Sequence, residues 1–258
     1  MNTPPESFWS KMPFGLGVRI LARDPNHLIA FEKPIGVLSH PNSREDERRA
    51  LLICHYDEIG EFFYWNDLVE SARDPAYLPR VWLLNRLDAH TSGVILATTN
   101  GDLAREIRGR FKREEVRKIY RALVFGVAPK PQEEWRDLLL IRRQGGHIRT
   151  MDRGNIPAEC TMRLVRENKQ DPRLSLLELE PRTGRSHQLR VQCARRGLPI
   201  VGDATYGEFK RNREFKRRTG CKRLFLHSFE TSIDYEWGGR KFSFSARSPV
   251  PPEFEEFL

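Results

Sequence analysis

The stretch Val81–Asn100, VWLLNRLDAHTSGVILATTN, restricts what this chain can fold into more than any other. Val81, Trp82, Leu83 and Leu84 form a short apolar run, and Val94, Ile95, Leu96 and Ala97 form a second. Runs of this length, rich in branched and aromatic side chains, read as buried strands. Between them lies a polar connection that carries Arg86, Asp88, His90, Thr91 and Ser92 and turns at Gly93. The sequence therefore holds a charged, hydroxyl-rich loop between two buried strands, where reacting groups are commonly presented. An aspartate in a turn also caps its own backbone, so this loop by itself leaves both readings open.

Composition narrows the setting. The 258 residues allow one or two domains, and 39% hydrophobic with 31% charged residues is a globular balance. Lys and Arg number 44 against 35 Asp and Glu, a net charge of +9 and a pI near 9.6, which favours a polyanionic partner. The N-terminus lacks a basic-then-apolar leader, and no apolar segment reaches the length of a membrane span. Cys54, Cys160, Cys193 and Cys221 form no Cys-x-x-Cys pair, and the histidines show no ligand spacing. These features fit a reduced, cytoplasmic setting without a disulfide framework or metal site.

Along the chain, residues 1–18 are rich in Pro and Gly and are expected to form a surface arm ahead of a single domain over 19–258. Val18–Leu21 and His27–Phe31 read as strands joined through Asp24-Pro25-Asn26. Helices are expected over Arg48–Tyr56 and Asn66–Ser71, and another over Gly101–Val116 with Asn100 as its cap. Lys118–Gly126 carries apolar residues at both parities, the mark of a central strand. A hairpin turning at Gly145-Gly146 and strands over Ile156–Arg166 and Leu174–Glu180 follow. Ser186 is expected to cap a helix running to about Arg196, stopped by Gly197 and Pro199. Residues Lys210–Arg223 contain eight Lys or Arg among 14, opposed by Glu214, and read as a basic loop. Phe242–Ala246 alternates as a strand, and an acidic tail follows Pro249.

Four blocks carry a more specific signal. They are Lys33-Pro34-Ile35-Gly36; Arg86-Leu87-Asp88 followed by Thr91-Ser92-Gly93; Lys118-x-Tyr120-x-Ala122-x-Val124-x-Gly126; and Thr183-Gly184-Arg185-x-His187-Gln188-Leu189-Arg190. In this order they resemble the RluA family of pseudouridine synthases, over roughly Ile29 to His227. The resemblance implies an α+β pseudouridine synthase fold: a mixed, largely antiparallel sheet with peripheral helices and a central catalytic cleft. It also implies isomerisation of uridine to pseudouridine in ribosomal or transfer RNA, without cofactor or metal. The lack of room for an RNA-binding domain before the first block places the chain with the single-domain branch, and a monomer is expected. Two positions depart from the usual family pattern, Asn85 before Arg86 and Gln192 after Arg190, where histidine is common.

Carried onto this sequence, the family pattern makes Asp88 the catalytic carboxylate, Arg185 its cation and Tyr120 the group that removes the C5 proton. Leu189 would pack on the uracil, with His187 and Gln188 lining the substrate site, and Arg86 would enter the space left by the flipped base. Lys210, Arg211, Arg213, Lys216, Arg217 and Arg218 would grip the RNA backbone. Three rival readings are a non-catalytic RNA-binding protein, a methyltransferase and a glycosidase. Binding alone does not call for a carboxylate amid phosphates, no Gly-x-Gly-x-x-Gly loop follows a strand, and Asp88 has no carboxylate partner in the motif blocks.

Overall fold

Local chemistry sets the first turn. Asp24 closes it by accepting from the backbone N–H groups of Asn26 and Leu28, each at 2.9 Å, so the chain reverses between two strands. In the computed structural model, which describes residues 6–65, 79–144 and 147–258, those strands are β1 (Arg19–Arg23) and β2 (Leu28–Lys33). The chain divides into two compact units. The first comprises Met1–Val116 and Thr231–Ser248, and the second Arg117–Glu230 and Pro249–Leu258.

In the first unit, β3 (His55–Asp57), β4 (Phe62–Tyr64), β5 (Arg80–Leu83) and β6 (Ser92–Thr98) pair in sequence, all antiparallel. β2 pairs with both β1 and β6. Every residue of β6 is buried, and Val94, Ile95 and Leu96 each contribute roughly 1.5–3 kcal/mol by leaving water. The two apolar runs read from the sequence are thus paired strands, and the loop between them is held at both ends. α2 (Gly101–Lys112) begins at Asn100, whose side chain accepts from the N–H groups of Asp102 and Leu103. It stops short of the expected Val116 because Glu114 adopts a left-handed backbone, φ 64°. No helix covers Arg48–Tyr56: a 3-10 turn over Arg44–Arg49 gives way to β3. The helix expected over Asn66–Ser71 lies outside the described residues.

Of the expected N-terminal arm, α1 (Glu6–Ser10) and the residues after it sink Phe8, Trp9 and Met12 into the first unit's core, beside Phe31, Leu51 and Phe63. Aromatic burial outweighs the Pro/Gly composition there.

The second unit is built on β7 (Arg117–Phe125), β8 (Gln132–Gln144), β9 (His147–Asn168) and β10 (Leu174–Pro181). The antiparallel order is β7-β10-β9-β8. The β8–β9 register runs to Gln144 opposite His147; the Gly145-Gly146 turn itself lies outside the described residues. Two helices follow, α3 (Gln188–Arg195) and α4 (Phe209–Thr219). β11 (Leu226–Trp237) counts with the second unit up to Glu230 and with the first from Thr231, where β12 (Arg240–Arg247) pairs with it. The second core gathers Leu123, Phe125, Leu177, Cys193, Phe215 and Phe225. The expected acidic tail also joins it: Phe254 is fully buried and Glu253 pairs with Arg223. No described helix is long and apolar enough to cross a membrane.

Candidate active site

The loop that carries Asp88 is fixed by its neighbours on both sides. Ser39 Oγ donates to the carbonyl of Leu87 at 2.8 Å and accepts from the Leu87 N–H at 2.9 Å. On the other side the Ala89 carbonyl accepts from Gly36 N–H at 2.8 Å and from Lys33 Nζ at 3.1 Å. Gly36 reaches it with φ 82°, a conformation that favours glycine. Thr91 N–H closes the turn on the Asp88 carbonyl at 3.0 Å. Asn85 Oδ1 accepts from Leu96 N–H at 2.7 Å and ties the loop's start to β6. The departure at Asn85 is thereby a structural bond.

Lys33 is a residue whose role the motif alone did not reveal. Its side chain is wholly buried, and Nζ donates to the carbonyls of Pro34, Val37 and Ala89 at 2.7–3.1 Å. Three acceptors match the three donors of an ammonium. Burial pulls its pKa from 10.5 down to about 7, while the Asp88 carboxylate acts in the opposite direction. The signal that could have found it is Lys-Pro itself, since a lysine beside a rigid apolar turn has few places to put its charge except backbone carbonyls.

Arg86 is exposed, and its guanidinium lies 3.1 Å from His40 Nε2. His40 Nδ1 lies 3.0 Å from the Pro41 carbonyl, which only accepts, whereas the guanidinium only donates. Both contacts are satisfied by one neutral tautomer, with the proton on Nδ1. The His40 ring stacks on Tyr56 at 5.1 Å between centroids. Burial, aided by Glu61 and opposed by Arg86, pushes the Tyr56 phenol up to about 12.

In the second unit, β7 places Tyr120 opposite Leu179 of β10, half-buried against the core, with Lys118 two residues before it. Gln188 ties the segment Arg182–Leu189 together from within. Gln188 Oε1 accepts from Thr183 Oγ1 at 2.7 Å and from Arg185 N–H at 3.1 Å, and Gln188 Nε2 donates to the Glu159 carbonyl at 3.0 Å and to Gln192 Oε1 at 3.2 Å. Gln188 is buried, and these bonds make it a brace for Arg185. Arg185 Nε donates to the Pro157 carbonyl at 3.1 Å. Gln192 donates to Asp137, which also pairs with Arg195 and Arg196.

The N-cap of α3 is His187, not the expected Ser186. Its backbone is left-handed, φ 55°, and its Nδ1 lies 2.8 Å from the Tyr206 hydroxyl, which accepts from Thr150 N–H. Leu189 is buried in the second core with Cys193. Arg190 is buried and grips Asp203 with two bonds of 2.8 Å. Burial pushes the Asp203 carboxyl upward, but Arg190 and the N–H groups of Tyr206 and Thr205 outweigh it and hold the group below the ordinary carboxylate range.

The basic stretch is largely helical, as α4, rather than a loop. Asn212 fastens it: Oδ1 accepts from Gly202 N–H at 2.8 Å and Nδ2 donates to the Asp203 carbonyl at 2.9 Å. Gly202 is required there, since φ is 77° and a methyl group would strike the Arg223 carbonyl. Two of the expected RNA-gripping cations are engaged within the unit. Arg211 lies over the Phe125 ring and pairs with Glu208, and Arg218 pairs with Asp171 and Glu214. Lys210, Arg213, Lys216 and Arg217 face outward.

Comparison with known proteins decides the family. Residues 27–195, more than half of the chain, match the family model described as RNA pseudouridylate synthase. The chain belongs to that family. A tRNA pseudouridine synthase C from Salmonella typhi is 30% identical over 233 residues, covering 86% of this chain and 82% of its own. The Yersinia pestis protein of that name is 28% identical, covering 87% and 84%. A ribosomal large subunit pseudouridine synthase C from Vibrio vulnificus is 26% identical over 81% of this chain and 59% of its own. The solved structure of human RNA Pseudouridylate Synthase Domain Containing 1 superposes with a TM-score of 0.65 at 22% identity, covering 92% of this chain and 86% of that one, which supports the fold. The pseudouridine synthase model covers Asp88, Tyr120, Arg185 and Leu189 and ends before α4. As a member of this RluA-type family the protein is an isomerase of the RNA pseudouridine synthase class.

Proposed function

We propose that this synthase isomerises uridine in transfer or ribosomal RNA, with Asp88 as the catalytic carboxylate. The observation that carries the reading is the brace on Asp88: both flanking residues are tied down, by Ser39 on one side and by Lys33 and Gly36 on the other. A turn aspartate that merely capped its backbone would need no buried lysine behind it. A nucleophile that must meet a flipped nucleoside gains from such fixing, because positioning lowers the barrier.

In this reading Asp88 attacks the nucleoside, the bond between uracil N1 and the ribose breaks, and the ring turns over. The ribose C1′ then bonds to C5 and the bond to Asp88 breaks, releasing the carboxylate; the C5 proton leaves, and N1 ends protonated. Arg185 supplies the cation for the carboxylate. Tyr120 lies against the uracil and takes the C5 proton from an intermediate far more acidic than uracil itself. Leu189 contributes an apolar wall. Arg86 fills the space the base vacates, and its bond to neutral His40 supports this role by holding the guanidinium in advance. Gln188 and His187 act by setting the shape of the Arg185 segment.

The relatives' names point to transfer and ribosomal RNA, and the test separates the two. RNA labelled with tritium at uracil C5, lacking modification, is fractionated and incubated with the protein. Tritium released from one fraction names the substrate class; no release from either, with RNA still bound, would overturn the proposal.

A further inference from the structure

Helix α4 sorts its side chains by direction. At 100° per residue, Phe209, Lys210, Arg213, Lys216 and Arg217 fall within an arc of about 120°, opposite buried Phe215. All five are exposed. Phe209 keeps 62% of its surface in water and is the one aromatic among the exposed large hydrophobic side chains of the described residues. The four cations beside it make no ion pair among the described residues, whereas Arg211 and Arg218, on the side of the helix nearer Phe215, are paired. An aromatic ring held in water amid unpaired cations is not explained by the helix's own packing.

The face is also pre-built. Phe215 packs edge-on against Phe125, Phe225 and Phe257, and Asn212 bolts the helix to the Gly202-Asp203 turn. Asp203 is in turn gripped by Arg190 of α3. The face is thus rigidly joined to the helix that starts at the Arg185 segment, and binding there need not first order a loop.

We propose that this face docks a single-stranded segment of RNA, with Phe209 stacked on an unpaired base and Lys210, Arg213, Lys216 and Arg217 following the phosphates. Charge complementarity selects a polyanion, and the exposed ring selects one with free base faces over a duplex. The inference rests on the RNA reaction proposed above and extends it to residues beyond the family match.

The test measures binding of a single-stranded RNA oligonucleotide and of a blunt duplex across a salt series, for wild type, Phe209→Ala, Phe209→Trp and the double variant Lys216→Gln/Arg217→Gln. Phe209→Ala is expected to weaken single-strand binding about tenfold with an unchanged salt slope and little effect on the duplex, and Phe209→Trp to restore it. The double variant is expected to lower the slope by about 1.4, since each single-strand phosphate contact contributes roughly 0.7. Unchanged single-strand binding by Phe209→Ala, or equal loss on the duplex, overturns the proposal. Tritium release scored in parallel keeps the two readings apart. Release with no Phe209 effect sinks the docking face alone; a Phe209 effect without release sinks the reaction alone.

Discussion

Two buried charges stand behind the two halves of the proposed chemistry, and they are neutralised in different ways. Lys33, behind the Asp88 loop, spends its ammonium on three backbone carbonyls. Arg190, behind the segment that carries Arg185, meets the full charge of Asp203 in a two-bond pair. Carbonyl dipoles hold a cation without cancelling its charge, so burial still lowers the lysine's pKa; a counter-ion cancels it and lowers the carboxylate's instead. The comparison teaches that the same protein anchors one region through a lysine whose buried charge costs stability below about pH 7, and another through a carboxylate whose pairing is lost in acid.

The largest expected effect comes from breaking the pair. Arg190→Met leaves Asp203 buried and unpaired and is expected to cost about 3–5 kcal/mol, read as a lower urea midpoint at unchanged slope. The pH dependence follows from the lowered carboxyl pKa: its stabilisation is full above the ordinary carboxylate range and is lost as the pH falls through the native value. Wild type should therefore lose this part of its stability in acid, and Arg190→Met should not show that loss.

Lys33→Met comes next, at roughly 1–3 kcal/mol near neutrality, because it leaves the Pro34 and Val37 carbonyls without this donor. The sign is the same, in a higher pH window. Below pH 7 the lysine is charged whether folded or unfolded and carries its burial cost in full. Between about 7 and 10.5 the folded chain gives up the proton first, so the unfolded state holds more protons and stability rises with pH. The stability gap between wild type and Lys33→Met should widen over that interval in urea melts; a gap that stays constant would contradict the pKa assigned to Lys33.

Ser39→Ala is the smallest of the three. It removes two bonds to Leu87 and should cost about 1 kcal/mol, while slowing tritium release because one side of Asp88 is freed. A matching loss of stability with no change in rate would make the serine structural only.

The elements that define the site were legible where local pattern dictates them. The apolar runs around Asp88, the Asn100 cap and the central strand bearing Tyr120 all follow from periodicity and capping chemistry. What escaped depends on partners distant in sequence. Lys33 meets Ala89 across 56 residues, and no periodicity encodes such a bond. Nothing in the local pattern of α3 names the partner of Arg190, Asp203, which lies 13 residues on. The stretch Lys210–Arg223 reads as a loop because charge density masks its single anchoring aromatic, Phe215. The α3 cap was misplaced by one residue because His187 takes a left-handed backbone, a conformation that Ser186 signalled no better than any other residue. The roles given to Asp88, Tyr120 and Arg185 come from the motif resemblance, to which the structure adds the braces behind Asp88 and Arg185.

Asp88 is the centre of this account, and one comparison tests it most directly. Wild type and Asp88→Asn, matched for melting temperature and for RNA affinity, are mixed in excess over C5-tritiated RNA and followed through a single turnover. Tritium release by wild type, with none above background for Asp88→Asn, is the expected result. Release by the asparagine variant at a rate comparable to wild type would show that the carboxylate does not carry the reaction.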